Sequence, residues 1–101
     1  AVIAYLNLHY ADQDLSLTST AEAMQVSEGY LSTLFKQETG VKFSSYVEQL
    51  RMEQAKQLLS TTSMTIWEIT QRTGYTSENS FCRAFKRVTG MSTTEWKTQE
   101  K

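Results

Sequence analysis

Leu34-Phe35-Lys36-Gln37-Glu38-Thr39-Gly40 and, 50 positions later, Ala84-Phe85-Lys86-Arg87-Val88-Thr89-Gly90 are two versions of one phrase. The correspondence runs outward in both directions. Ser27-Glu28 aligns with Ser77-Glu78, Leu31 with Phe81, Val41 with Met91 and Tyr46 with Trp96. Aromatics and glycines kept in step over such a period mean one supersecondary unit built twice, and two copies are too few for a solenoid. The chain therefore reads as one pseudo-symmetric domain, and its target is expected to repeat over the distance between the copies.

Composition narrows the class. A length of 101 residues suits a single domain with a modest core, and 40% hydrophobic with 21% charged residues is ordinary for a globular protein. No run approaches the ~18 consecutive apolar residues of a membrane span, so no membrane partner is expected. Cys82 is the only cysteine, which forbids an internal disulfide and points to a reducing, cytoplasmic compartment. The chain opens on Ala1-Val2-Ile3 and is expected to be a fragment of a longer protein. A net charge of −1 argues against a strongly basic nucleic-acid binder. Its distribution leaves room for a local basic face, because Arg83, Lys86, Arg87, Lys97 and Lys101 gather in the last fifth of the chain.

With no proline and helix-type apolar spacing throughout, the expected class is all-α, with about seven helices. Ile3, Leu6 and Tyr10 mark a first helix ending near Ala11-Asp12. Ser16 is positioned to cap a short helix carrying Leu17, Ala21 and Met24. Ser27 is positioned to cap the next, with Tyr30, Leu31, Leu34 and Phe35 on its buried face and Gly40 stopping it. The longest helix runs from Phe43 to about Ser60 along Val47, Leu50, Ala55, Leu58 and Leu59. Thr65-x-x-Glu68 and Ser92-x-x-Glu95 are capping boxes for two further helices. Between them Gly74 ends one helix, Ser77 caps another carrying Phe81 and Phe85, and Gly90 stops it. Residues 1–42 are thus expected to form a first unit, 43–60 a connecting helix and 61–101 a second unit.

Each unit reads as helix, tight turn, helix: Leu17–Met24 then Ser27–Gln37, and Ile66–Arg72 then Ser77–Val88. Ala21 and Thr70 are small where the paired helices must cross. That is a helix-turn-helix layout, whose second helix enters the DNA major groove. The first helices align at an offset of 49 and the second at 50, so the turn near Gly74-Tyr75 should be one residue longer. A connecting helix of about 16 residues spans roughly 25 Å at ~1.5 Å per residue. Adding the half-widths of the units brings the reading helices near ~34 Å apart, one turn of B-DNA. Double-stranded DNA is thus the expected partner, read in two successive major grooves by one chain. The exposed positions of the two reading helices are Glu28, Gly29, Ser32, Thr33 and Lys36, then Glu78, Asn79, Cys82, Arg83 and Lys86. Phosphate contacts are expected at Ser27 and Ser77, where helix N-termini point outward, and at Lys36, Lys42, Lys86, Arg87 and Lys97.

A longer set of residues carries a resemblance. Phe35-Lys36-x-x-Thr39-Gly40-x-x-Phe43-x-x-Tyr46, followed by Arg51-Met52-x-x-Ala55-x-x-Leu58-Leu59, resembles the first half of the AraC/XylS-type DNA-binding domain. Ile66-x-x-Ile69-Thr70-x-x-x-Gly74-Tyr75, then Phe81-x-x-x-Phe85-Lys86-x-x-x-Gly90-x-Ser92-x-x-x-Trp96-Lys97, resembles its second half. The chain departs from that pattern at Thr93 (usually proline), Thr70 (usually alanine) and Lys97 (usually arginine). The resemblance implies base contacts at Gly29, Ser32, Thr33, Asn79, Cys82 and Arg83. Arg83 suits guanine O6 and N7 and Asn79 suits adenine N6 and N7, so the second unit should carry more of the direct readout. It also implies an output domain of a transcriptional regulator with RNA polymerase as a partner, and any dimerisation through an upstream region. Activation is the expected output, although the residues themselves leave activation and repression open.

Other classes find little footing. One histidine, one cysteine and no paired-carboxylate motif give no nucleophile–base pair or metal cluster, so neither an enzyme nor a cofactor is expected. His9 is read as a helix-surface residue, Cys82 as a neutral neighbour of the groove, and Arg51 as half of a structural ion pair. The alternative is a helical protein-interaction module without DNA binding, which an exposed apolar stripe would betray; none stands out.

Overall fold

The computed structural model describes residues 2–99, so Ala1, Glu100 and Lys101 of the expected units lie outside the described residues. Seven helices follow one another, with no strand among the described residues: α1 (Val2–His9), α2 (Leu17–Met24), α3 (Glu28–Thr39), α4 (Phe43–Thr61), α5 (Ile66–Arg72), α6 (Glu78–Thr89) and α7 (Thr93–Gln99). The caps sit where the side chains dictate. Ser16, Ser27, Thr65 and Ser77 each accept a hydrogen bond from the third backbone N–H of the following helix. The Thr65/Glu68 box closes in both directions, and in the Ser92/Glu95 box the Ser92 N–H donates to Glu95 at 2.8 Å. α1 ends at His9, earlier than its apolar spacing predicts, because a turn closed by Asp12 N–H to the His9 carbonyl follows it.

The repeat persists at the level of atoms. Gly40 and Gly90 take left-handed φ of 80° and 82°, and their N–H groups donate to the Lys36 and Lys86 carbonyls at 2.8 Å. Thr39 and Thr89 each donate to the carbonyl four residues back and bridge the turn to Val41 and Met91. Phe35 meets Tyr46 edge-on at 5.2 Å, and Phe85 meets Trp96 edge-on at 5.9 Å. α7 is thus the second copy of the start of α4, with Thr93 as its buried first residue.

The longer turn also resolves. Val26 N–H donates to the Ala21 carbonyl and Tyr75 N–H to the Thr70 carbonyl, both five residues back. Left-handed residues sit at equivalent places, Gln25 with φ 61° and Gly74 with φ 91°. The two turns therefore coincide through Val26 and Tyr75, and the extra residue is Thr76, placed before Ser77.

Two apolar clusters form, one per unit, and α4 runs through both. Phe43 and Val47 join Leu6 and Phe35 in the first; Met52, Ala55, Leu58 and Leu59 join Ile69, Phe81, Ala84 and Phe85 in the second. Burial of these side chains, at roughly 25 cal/mol per Å² of apolar area, is the main force fixing each reading helix to α4. Met52 is buried although the apolar stripe expected for α4 omits it, and Tyr30, expected inside, is 58% exposed. Tyr30 lies at the edge of the α3 stripe in its first turn, and its counterpart in the second unit is the exposed Ser80.

Candidate nucleic-acid interface

α3 and α6 are each the second helix of their unit and each present a polar face away from α4. Leu31 and Phe35 anchor α3, and Phe81, Ala84 and Phe85 anchor α6. Between the anchors, Gly29, Ser32, Thr33 and Lys36 share one exposed face of α3, at the i, i+3, i+4, i+7 spacing of a helical stripe. Asn79, Arg83 and Lys86 are exposed at the matching positions of α6, with Cys82 half-buried among them. Glu28 and Glu78 open the two helices, where the helix dipole favours a negative charge.

Cys82, Arg83, Lys86 and Arg87 line a groove that continues to Ser92 and Thr93, so the basic residues of α6 converge beside the start of α7. Burial, with the charge of Glu78 adding, pushes the Cys82 thiol above its ordinary 9.0. A thiol so shifted is protonated at neutral pH, and a protonated thiol is a poor redox sensor. Cys82 offers the groove a small neutral contact instead.

The residues expected at phosphates occupy three kinds of place. Ser27 and Ser77 are N-caps whose hydroxyls are already engaged in capping. Lys36, Lys86 and Lys97 are exposed on their helices. Lys42 is the exposed N-cap of α4 and makes no side-chain capping bond, so the first backbone N–H groups of that helix lack a side-chain cap. Arg87 is exposed but ion-paired with Glu48 of α4, a partnership across 39 positions that no local pattern signals.

Arg51 corrects its expectation. It makes no ion pair among the described residues; its Nε donates to the Tyr10 carbonyl at 2.7 Å and its Nη2 to the Asp12 carbonyl at 3.1 Å. The guanidinium also lies 5.3 Å from the centre of the Tyr75 ring. Burial first, and the Glu48 charge second, raise the Tyr75 phenol above its ordinary 10.0, so it stays neutral. His9 is half-buried against Tyr5 and bonded to Asp12 at 2.8 Å, a local contact at the end of α1.

The large exposed apolar side chains among the described residues are Leu8, Tyr30, Trp67 and Val88, carried by four different helices, so no one helix presents a stripe of them. No helix is long and apolar enough to cross a membrane, and no group of three or more His, Cys, Asp or Glu among the described residues is placed to hold a metal ion.

Comparison with known proteins agrees with this geometry. A family model described as a helix-turn-helix domain matches residues 20–99. The arabinose operon regulatory protein of Escherichia coli K12 is 38% identical over 93 residues, covering 92% of this chain and 32% of that protein. The chain spans about a third or less of the length of the curated relatives it matches first. The C-terminal domain of AraT, a response regulator from Geobacillus stearothermophilus, superposes with a TM-score of 0.96 at 38% identity, over 97% of this chain and 81% of that one. The C-terminal domain of the two-component response regulator yesN from Fusobacterium nucleatum gives a TM-score of 0.93 at 32% identity, over 95% and 93% of the two chains. An all-helical domain with a doubled helix-turn-helix, matched so fully in sequence and shape, belongs to the AraC-type helix-turn-helix family and is a DNA-binding domain of a transcriptional regulator, not an enzyme.

Proposed function

We propose that α3 and α6 enter successive major grooves on one face of a DNA duplex, with residues 1–42 and 61–101 as the two reading units and 43–60 as the connection that sets their spacing. The observation that carries this reading is the pair of polar faces held in equivalent frames by the same caps, threonine bridges and edge-on aromatic pairs. The Cα envelope is 44 Å long. Two helices one B-DNA turn (~34 Å) apart, each with Cα atoms on a cylinder of about 2.3 Å radius, occupy roughly 39 Å. Gly29, Ser32 and Thr33 from α3, and Asn79, Cys82 and Arg83 from α6, are the proposed base contacts. Arg83 and Asn79 carry most discrimination, because they can engage two atoms of a base edge at once. Ser27, Lys36, Lys42, Ser77, Lys86, Arg87 and Lys97 are the proposed phosphate contacts, Arg87 by exchanging Glu48 for a phosphate. The same reading makes the domain the output of a cytoplasmic regulator, activating transcription through RNA polymerase and dimerising, if at all, through an upstream region.

The test is enrichment of a duplex from a randomised library, followed by footprinting of the enriched sequence. Two protected stretches about 10 base pairs apart on one face are expected. With ~5–7 phosphates contacted, log affinity should fall with log salt at a slope of roughly −5 to −6, and Lys86→Ala should make that slope shallower by about one. Failure to enrich any duplex at about 50 mM salt would refute the DNA reading. Protection of a single groove would refute the two-groove geometry.

A further inference from the structure

Gln25 and Gly74 occupy the same left-handed position in the two turns, yet only the second is glycine. The reason lies outside the turn. A Cβ on Gly74 would stand 2.8 Å from the Tyr10 carbonyl oxygen and 2.9 Å from Arg51 Nε, whereas Gln25 is exposed. The α5–α6 turn of the second unit is thus pressed against the α1–α2 loop of the first, with the Arg51 side chain between them. Arg51 donates to the carbonyls of Tyr10 and Asp12 on one side and stacks on Tyr75 on the other. Gln13 Nε2 donates to the Tyr75 carbonyl at 3.0 Å, the one side-chain hydrogen bond among the described residues that joins the first unit directly to the second.

The apolar clusters do not bridge the units in the same way. Each packs on its own stretch of α4, Phe43 and Val47 for one and Met52 to Leu59 for the other. A single helix can bend or twist between those stretches. We propose that Arg51, seated in the Tyr10–Asp12 and Gly74–Tyr75 loops, is a positioning residue that fixes the angle between α3 and α6 and thereby makes the domain selective for the spacing of its two groove sites. Arginine suits the role because its planar fork engages two carbonyl oxygens while its face stacks on a ring; lysine, with one ammonium group, cannot do both. Adding one base pair between the groove sites shifts one by about 3.4 Å and rotates it by roughly 35° about the duplex. A clamped pair of helices cannot follow that change, and an unclamped pair can.

The inference rests on the two-groove reading, so its test has one arm without DNA. In a Cys82→Ser background, spin labels at Gln37→Cys on α3 and Val88→Cys on α6 report the distance between the reading helices. Arg51→Ala, confirmed folded by circular dichroism, should broaden that distribution, and Arg51→Lys should give an intermediate width. A folded Arg51→Ala chain with the parental distribution overturns the proposal whatever DNA does. In the second arm, the duplex enriched by the parental chain is lengthened or shortened by one base pair between its protected stretches. The parental chain should lose about tenfold or more in affinity for each change, as for other single-pair disruptions of a site. Arg51→Ala should lose about threefold or less, even though it binds the original duplex more weakly. A general loss of stability would lower all three affinities alike and leave their ratios intact, and that result also overturns the proposal. Gln13→Ala, which removes only the direct bond, should flatten the ratios partly and covers the case in which Arg51→Ala does not fold.

Discussion

Thr20→Val should make this domain more stable. Thr20 is fully buried in α2, and its hydroxyl has no hydrogen-bond partner among the described residues. Its counterpart in the second unit is Ile69, equally buried and apolar. A buried hydroxyl without a partner costs about 1–3 kcal/mol in desolvation. Valine keeps the β-branched shape, so the helix loses no further rotamer freedom. The expected gain is about 1–2 kcal/mol, which for a domain of this size moves the melting temperature up by roughly 4–8 °C per kcal/mol. Thr70→Val is the control. Thr70 is just as buried, but its hydroxyl donates to the Ile66 carbonyl at 2.8 Å, so its loss should be neutral or destabilising by up to about 1 kcal/mol. Thermal and urea melts followed by far-ultraviolet circular dichroism compare the three proteins, with the urea slope checked for a common unfolding process. A Thr20→Val chain no more stable than its parent would refute the reasoning. So would equal gains from both substitutions, which would mean that hydrophobicity alone, not the unpartnered hydroxyl, is at work.

Four further outcomes follow from the site and the turns. Arg83→Ala should cost about 1–3 kcal/mol in DNA affinity and relax preference at one base position, while Ser32→Ala and Thr33→Ala cost less; competition against single-base variants of the enriched duplex separates them, and an unchanged preference with Arg83→Ala would move the readout to the first unit. Gly74→Ala should destabilise more than Gly40→Ala in melts: both residues have positive φ, at about 1–2 kcal/mol for a side chain there, but only Gly74 has neighbours within contact of an added Cβ. Gln25→Gly should stabilise by up to about 1 kcal/mol, since Gln25 is the one non-glycine among the described residues held at positive φ. Capping hydrogen bonds from Thr65 and Ser92 hold the Glu68 and Glu95 carboxyls below their ordinary 4.5, so their stabilisation is full above that value and is lost as pH falls through the lower folded values. The melting-temperature gap between the parent and a Glu68→Gln, Glu95→Gln chain should therefore close in acid, and a gap constant from about pH 6 to 3 would contradict it.

Most of the fold was legible because its signals are local. A serine three residues before its capped N–H and a glycine after the last turn of a helix each act within a turn of the chain, and the 50-position repeat reports the same frame twice. Even the offset between the units was readable, and the structure assigns it to Thr76. What escaped was decided by neighbours distant in sequence. Tyr30 has the right period for burial, but it sits at the rim of an open groove shared with Val2, Ile3, Met24 and Val26; the repeat itself held the corrective signal, since Ser80 stands in its place in the second copy. Arg51 was expected to seek a carboxylate, yet its acceptors are the carbonyls of Tyr10 and Asp12. Every residue has a carbonyl, so such a contact leaves no mark in the side-chain sequence.

That asymmetry bears on how the two units differ. Their internal frames are nearly interchangeable, so the repeat alone would predict two equivalent readers joined by a helix. The residues that break the symmetry are the ones at the junction. Thr76 lengthens the second turn by one residue before Ser77; Gly74 admits the neighbouring loop; Gln13 and Arg51 bind that loop to the turn. Glu48, the residue after Val47 in α4, reaches Arg87, and the phenol of Tyr75 senses both charges. A duplicated helix-turn-helix becomes a single reader of two grooves only if the angle between its copies is specified. In this chain that specification lies in a few polar contacts between loops and α4, outside both cores, where substitutions can retune spacing without disturbing either reading helix.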